Sequence, residues 1–290
     1  MRVGIVPAAC LAVVGMLALA GCGSARDRPE SPGGSAAVSV TGTPLAASRT
    51  STPPAPGNSA PVGTTERKAD PDGDLRPFTA AATISGTSNE RAFSGALRQS
   101  VGAGPGGAHT WDVRYYELDG SDAVTTAFNR ASRSSAQTNL RSSGLVETGD
   151  GSCVARVEPR RIEFRPTAIG EVLAGNWYCA PAAHYNNTVS TIVIDSRTAE
   201  PITLADLFTD VQAGLRRLSD QVVERVGVPA TLPGVRPVEA NFGNWIPAES
   251  GMVLFFPDYQ LGGFGMRSVT IPWSALADLI APGQRGLIPG

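Results

Sequence analysis

Apolar residues recur at two periods along this chain, and the changes from one period to the other mark its elements. In "TWDVRYYEL" (110–118), Trp111, Val113 and Tyr115 alternate with Asp112, Arg114 and Tyr116, the period of a half-buried strand. Gly120 and Ser121 follow, and Ser121 is placed to cap a helix from Asp122 to about Arg141. "CVARVEPRRIEFRPTAIGEVLAGNWYC" (153–179) alternates again, with Ile162 and Phe164 set against Arg161, Glu163 and Arg165. It predicts strands broken by turns. "TVSTIVID" (188–195) is apolar on both faces, Val189 and Val193 on one and Ile192 and Ile194 on the other, which predicts a central strand.

"DSRTAEP" (195–201) reads as a turn, and Thr203 with Asp206 forms a capping box ahead of "LADLF". Val211, Leu215, Leu218, Val222 and Val226 lie at helical spacing and predict an amphipathic helix, which "ATLPGVRP" breaks. "GMVLFFPDY" (251–259) and "RSVTIPW" (267–273) predict two further strands, and "SALADLI" (274–280) a closing helix. Helices and strands are interleaved, with hairpin-like pairs among them. The fold class is therefore α+β, a mixed or antiparallel sheet with packed helices, rather than a doubly wound parallel sheet.

The first third of the chain lacks such periods. Residues 22–78 are dominated by Pro, Gly, Ser, Thr and Ala. They bury too little apolar surface to offset their ordering entropy and read as a flexible tether. In the segment up to Ala108, "FTAAATISG" reads as a strand and "VGAGPGGAH" as a loop. Whether that segment joins the fold stays open. The glycines at 102, 104 and 107 are not a phosphate-binding loop, because no strand leads in and no helix follows. The folded domain is expected over 79–290, best defined over 110–282.

Residues 1–21 combine Arg2 with an apolar run ending in "LAGC". A short apolar run behind a positive charge reads as a signal peptide. The ending resembles a bacterial lipobox, in which Cys22 takes a thioether-linked diacylglycerol and becomes the new N-terminus. An ordinary secretion signal is the alternative. No other run approaches the ~20 apolar residues needed to cross a bilayer, so the expectation is an exported chain, lipid-anchored on the outer face of the bacterial cell membrane.

Charge and cysteine use narrow the function classes. The net charge is −2, and Lys68 is the only lysine. No basic cluster marks a nucleic-acid face. Of four cysteines, Cys10 leaves with the leader and Cys22 takes the lipid. Cys153 and Cys179 remain as an even pair in an oxidising compartment, expected to form one disulfide; two buried thiols are the alternative. A zinc site would need further Cys or His ligands nearby, so neither a metal nor a cofactor is expected.

The second half carries a recognisable series: Ala183-His184 in a small-residue loop, the strand 188–195 ending in Asp195, "PITLADLF" (201–208), the amphipathic helix, Phe256 and Tyr259, Gly265, and "VTIPWSAL" (269–276). This series resembles the extracellular domain of the RsiV-like anti-sigma proteins, which also occurs beside peptidoglycan deacetylases and in a secreted mycobacterial immunogenic protein. The resemblance covers about residues 110–280. It implies a small α/β region with a β-grasp-like C-terminal part, and a binding domain that in the anti-sigma members recognises lysozyme. Thr198-Ala199 stands where the family's turn usually has Thr-Gly. No sigma-binding or deacetylase segment is present, so only the binding module carries over, with a lysozyme or a peptidoglycan fragment as the expected partner. The oligomeric state is not legible.

No catalytic residue is expected. His184 would need an orienting acid to act as a base, and Asp195 lies at the far end of the intervening strand. His184 reads either as a turn residue bonded to backbone or as a ligand-facing side chain. Paired carboxylates of a hydrolase are sought among Glu158, Glu163, Glu171, Asp206 and Asp210. The glutamates alternate with arginines, and Asp206 is used in the cap. An envelope hydrolase acting on glycan or peptide, and a structural envelope lipoprotein, remain the alternatives. "FPDYQLGGFG" (256–265) reads as a presented loop with an aromatic residue at each end, and loops of this kind carry binding. Trp245, Tyr259 and Phe264, with His184, are the candidate binding residues.

Overall fold

A computed structural model describes residues 80–107, 109–142 and 152–289. The expected leader, the tether and Cys22 fall on residues 1–79, outside the described residues.

Six strands form one sheet in sequence order: β1 (Thr83–Ser88), β2 (Arg91–Ala103), β3 (His109–Leu118), β4 (Cys153–Arg165), β5 (Ala168–Cys179) and β6 (Asn186–Asp195). Neighbours are antiparallel except β3 and β4. A parallel pair needs a long crossover, and helix α1 (Ala123–Ser142) supplies it. The N-terminal cap of α1 is Asp122 rather than Ser121. Its carboxylate accepts from the N–H groups of Val124 at 3.0 Å and Thr125 at 3.3 Å; the longer side chain reaches donors that a serine one residue earlier does not. The face of α1 against the sheet carries Val124, Phe128, Ser132, Ala136 and Asn139, all buried, at the spacing of a helical stripe.

The segment left open in the sequence is a hairpin of this sheet. Asn89 and Glu90, both with positive φ (48° and 59°), make the two-residue turn whose twist suits a tight hairpin. β6 is an edge strand, not a central one. Both its faces are apolar because each is covered: Ile192 and Ile194 pack under α1 with Phe128, while Val189 and Val193 pack against the C-terminal part.

That part, expected to be β-grasp-like, is a three-stranded antiparallel sheet of β7 (Trp245–Ala248), β8 (Gly251–Phe256) and β9 (Arg267–Pro272). Two helices precede it. The one-turn α2 (Leu204–Leu207) carries the expected Thr203–Asp206 capping box. α3 (Val211–Val226) is capped by Asp210, ends at Gly227 with φ 73°, and buries Leu215, Leu218 and Val222. A further turn, α4 (Glu239–Phe242), leads into β7. No α-helix forms at 274–280. A tight turn at Trp273–Ala275 is followed by a second, in which the Leu279 and Ile280 N–H groups donate to Leu276 O, and then the bonds go elsewhere: Thr209 N–H donates to Leu279 O, and Ala281 N–H to Leu207 O. That pairing places Ile280 in a β-bridge with Phe208.

β3 and β4 pair only as far as Val113 and Val157. Beyond that point the Tyr116 N–H donates instead to Glu171 Oε1, at 3.1 Å. Glu171 is fully buried on β5, and its Oε2 has no hydrogen-bond partner. Burial raises its carboxyl to about 7, and the nearby Ser132 hydroxyl and the Tyr116 N–H offset only part of that rise. The Tyr116 phenol is raised too, by its own burial and then by the Glu171 charge.

Candidate functional site

The loop joining β8 to β9 is held by one carboxylate. Asp258 accepts from the Asn187 N–H at 2.8 Å, from Asn187 Nδ2 at 3.0 Å and from the Gly265 N–H at 2.9 Å. These bonds tie the loop to the start of β6. Within the loop, Tyr259 N–H donates to Gly263 O (3.0 Å) and Gly262 N–H to Tyr259 O (3.1 Å). This tight turn puts Gly262 and Gly263 at φ 78° and 81°, and Tyr259 itself at φ 66°. For a residue with a Cβ that conformation costs roughly 1–2 kcal/mol. Here it turns the Tyr259 ring outward.

His184 completes the cluster. Its Nδ1 lies 2.8 Å from Tyr185 O, and its Nε2 lies 3.1 Å from the Tyr259 hydroxyl. A carbonyl only accepts, so in the neutral ring Nδ1 carries the proton and Nε2 accepts from Tyr259. The ring also lies 4.8 Å from Phe264, whose centroid is 6.2 Å from that of Tyr259. The reading of His184 as a turn residue bonded to backbone fits its contact with Tyr185 O, and its ring also braces two exposed aromatic rings. Among the described residues no carboxylate bonds it.

Trp245 does not join them. It is 2% exposed, because β7 packs beside β6, where the Trp245 N–H donates to Thr191 Oγ1 at 2.9 Å. The expectation of an exposed anchor at Trp245 is therefore corrected: the Pro and Gly residues around it bend the chain into a short buried strand rather than a surface loop.

Beside the cluster runs a groove of about 740 Å³, lined among others by Val101, Trp111, Val154, Arg156, Tyr185 and Phe264. Its floor is the part of the large sheet that the C-terminal part leaves uncovered. Six large apolar side chains are exposed among the described residues: Val101 70%, Val154 39%, Tyr185 50%, Val238 49%, Tyr259 53% and Phe264 53%. All but Val238 line this groove or touch Phe264 at its rim. Apolar side chains scattered singly need no explanation, whereas a contiguous group marks an interaction site. The expected Cys153–Cys179 bridge is present, a direct cross-strand pair of β4 and β5. It closes the end of the hairpin from which Val154 and Tyr178 project, and the Tyr178 ring meets that of Tyr185 at a tilt of 44° with centroids 5.2 Å apart.

The acids nearest the groove are paired. Asp112 takes a two-point contact from Arg114, and Glu158 binds Arg160 at 3.0 Å. Among the described residues no group of three His, Cys, Asp or Glu side chains is arranged to hold a metal ion, and no helix is long and apolar enough to cross a membrane. Sequence reasoning missed Val101, Trp111, Arg156 and Asn176 as groove residues. Only the alternation of Val154 and Arg156 with buried Cys153, Ala155 and Val157 hinted at an open sheet face.

No family model and no curated protein matches the chain. Among solved structures it is similar to a DUF3298 family protein from Pseudomonas aeruginosa PAO1, with a TM-score of 0.48, 12% identity, and 68% of this chain and 96% of that one covered. It is also similar to a DUF3298 family member from Bacteroides fragilis NCTC 9343, with a TM-score of 0.45, 12% identity, and 65% and 93% covered. A likeness at this level assigns no function.

Proposed function

We propose that this chain is a lipid-anchored cell-envelope binding protein whose RsiV-like domain recognises a lysozyme or a cell-wall fragment without turning it over. The observation that carries this reading is the gathering of exposed aromatic and apolar side chains around one groove, braced by His184 and Asp258. Rigid aromatic side chains are the usual anchors of such surfaces. The paired state of Asp112 and Glu158 supports binding over hydrolysis, since neither is placed as a free acid or base.

Calorimetry on the full-length chain in mild detergent, with a panel of lysozymes and muropeptides, tests this. Tyr259→Ala and Phe264→Ala should each weaken binding by about 1–3 kcal/mol if they are anchors. For a lysozyme, whose charge is positive, affinity should fall as salt rises. Absence of binding to every member of the panel, or multiple-turnover cleavage of a muropeptide, sinks the reading. The anchor is tested separately: Cys22→Ala should leave unprocessed precursor or soluble protein. Unchanged mass and membrane association in that variant would remove the lipid assignment.

A further inference from the structure

The groove carries more polar chemistry than an apolar docking patch needs. Across its floor, Asp112 on β3 pairs with Arg156 on β4, Arg156 with Asn176 on β5, and Asn176 with Asn187 on β6. Directly paired residues point to one face, and all four line the groove. The sheet thus presents one polar side chain per strand, at intervals of about 4.8 Å. Asp112 is engaged by Arg114 and Gln99, and Asn187 gives its amide N–H to Asp258. Arg156 and Asn176 have no side-chain partner among the described residues. Tyr185 and Phe264 set flat apolar faces around this row.

We infer that the groove binds a linear β-linked glycan bearing N-acetyl groups and carboxylates, with successive sugars lying across successive strands. A pyranose ring has apolar C–H faces and a rim of hydroxyl and amide groups. The aromatic rings take the faces, and the row of side chains takes the rim, as pockets that combine an apolar lining with a few placed polar groups do. The spacing of the row is close to the length of one sugar unit. The free Asn176 amide both donates to and accepts from an acetamido group. The Arg156 guanidinium matches a carboxylate in its two-point geometry. The charged residues lining the groove are Asp112, already taken by Arg114, and Arg156, for which an acidic glycan supplies the counter-charge. This deepens the binding-module reading and rests on it.

The test is calorimetry on the full-length chain in mild detergent. The probes are soluble peptide-free strands of alternating N-acetylglucosamine and N-acetylmuramic acid, the same strands with their carboxylates reduced to alcohols, and a lysozyme. The acidic strands should bind, and carboxyl reduction should weaken them about tenfold. Arg156→Gln should erase that difference, and Phe264→Ala should weaken both forms about tenfold. Both side chains are exposed, so an unchanged unfolding midpoint is expected in each variant. Lysozyme binding without strand binding overturns the glycan assignment and leaves the binding module standing. Binding of neither probe overturns both. Strand binding that is indifferent to both substitutions places the glycan elsewhere and overturns this site.

Discussion

Glu171→Gln should stabilise the protein by about 3 kcal/mol at a pH of about 8 and change little at a pH of about 4. The folded-state carboxyl lies at about 7 against an ordinary value of 4.5, chiefly because burial penalises the charge. A raised folded value means that the native state holds its proton more tightly than the unfolded chain. The stability tied to that proton is fully present below 4.5, is lost as pH rises through about 7, and is absent above. Glutamine keeps the shape and an oxygen to accept from the Tyr116 N–H, and carries no charge at any of these values. Glu117 and Asp278 act in the opposite sense. Arg133 and Arg217 respectively hold them below the usual carboxylate range, so their contribution fades on acidification. The difference between variant and wild type isolates Glu171. Denaturant unfolding across the pH range measures it, and parallel stability curves for the two proteins would refute the assignment.

Loss of the disulfide is expected to cost a similar amount. Cys153→Ala with Cys179→Ala opens a loop whose ends lie 26 residues apart, and the chain-entropy argument puts the cost at about 3.5 kcal/mol. Cys153 is buried against Ala155, Trp111 and Leu140, so the small apolar alanine introduces no unsatisfied polar group. The bridge joins two residues already paired across β4 and β5. The folded ladder is thus kept, and the effect falls on the unfolded chain. Denaturant unfolding of the oxidised protein beside the double variant checks this. A loss below about 1 kcal/mol would mean that the β4–β5 hairpin persists in the unfolded chain.

What the sequence revealed followed from local physics. The helices over 123–142 and 211–226, the capping box at Thr203 and the strands at 251–256 and 267–272 announce themselves by period or cap. The disulfide followed from cysteine count and the expected compartment. Features set by distant partners were hidden. β6 reads as central because both its faces are covered, and coverage is not hydrogen-bonding order. The β1–β2 hairpin is rich in Gly, Ser and Ala and buries little beyond Ser88, Phe93 and Gly95, so its alternation is faint. The end of the chain looks helical until its backbone bonds to residues 207–209 are seen. At the site, His184, Tyr259 and Phe264 were legible as residues in presented loops. Their meeting depends on Asp258 reaching Asn187, 71 positions away, and no local pattern encodes that.

The order of strands in the large sheet bears on how the molecule is made. From β1 to β6 each strand lies beside the one before it in sequence, so no strand waits for a later one to fill a gap. A chain that emerges from a channel N-terminus first can lay down this sheet by successive addition to a growing edge. The sole long excursion is the α1 crossover before the parallel pair, and closing it carries the largest entropic cost in the series. The cysteine pair lies wholly within the β4–β5 hairpin, immediately after that step. Oxidation there needs only the two strands of one hairpin, and neither β6 nor the smaller sheet has to be in place for the bridge to form.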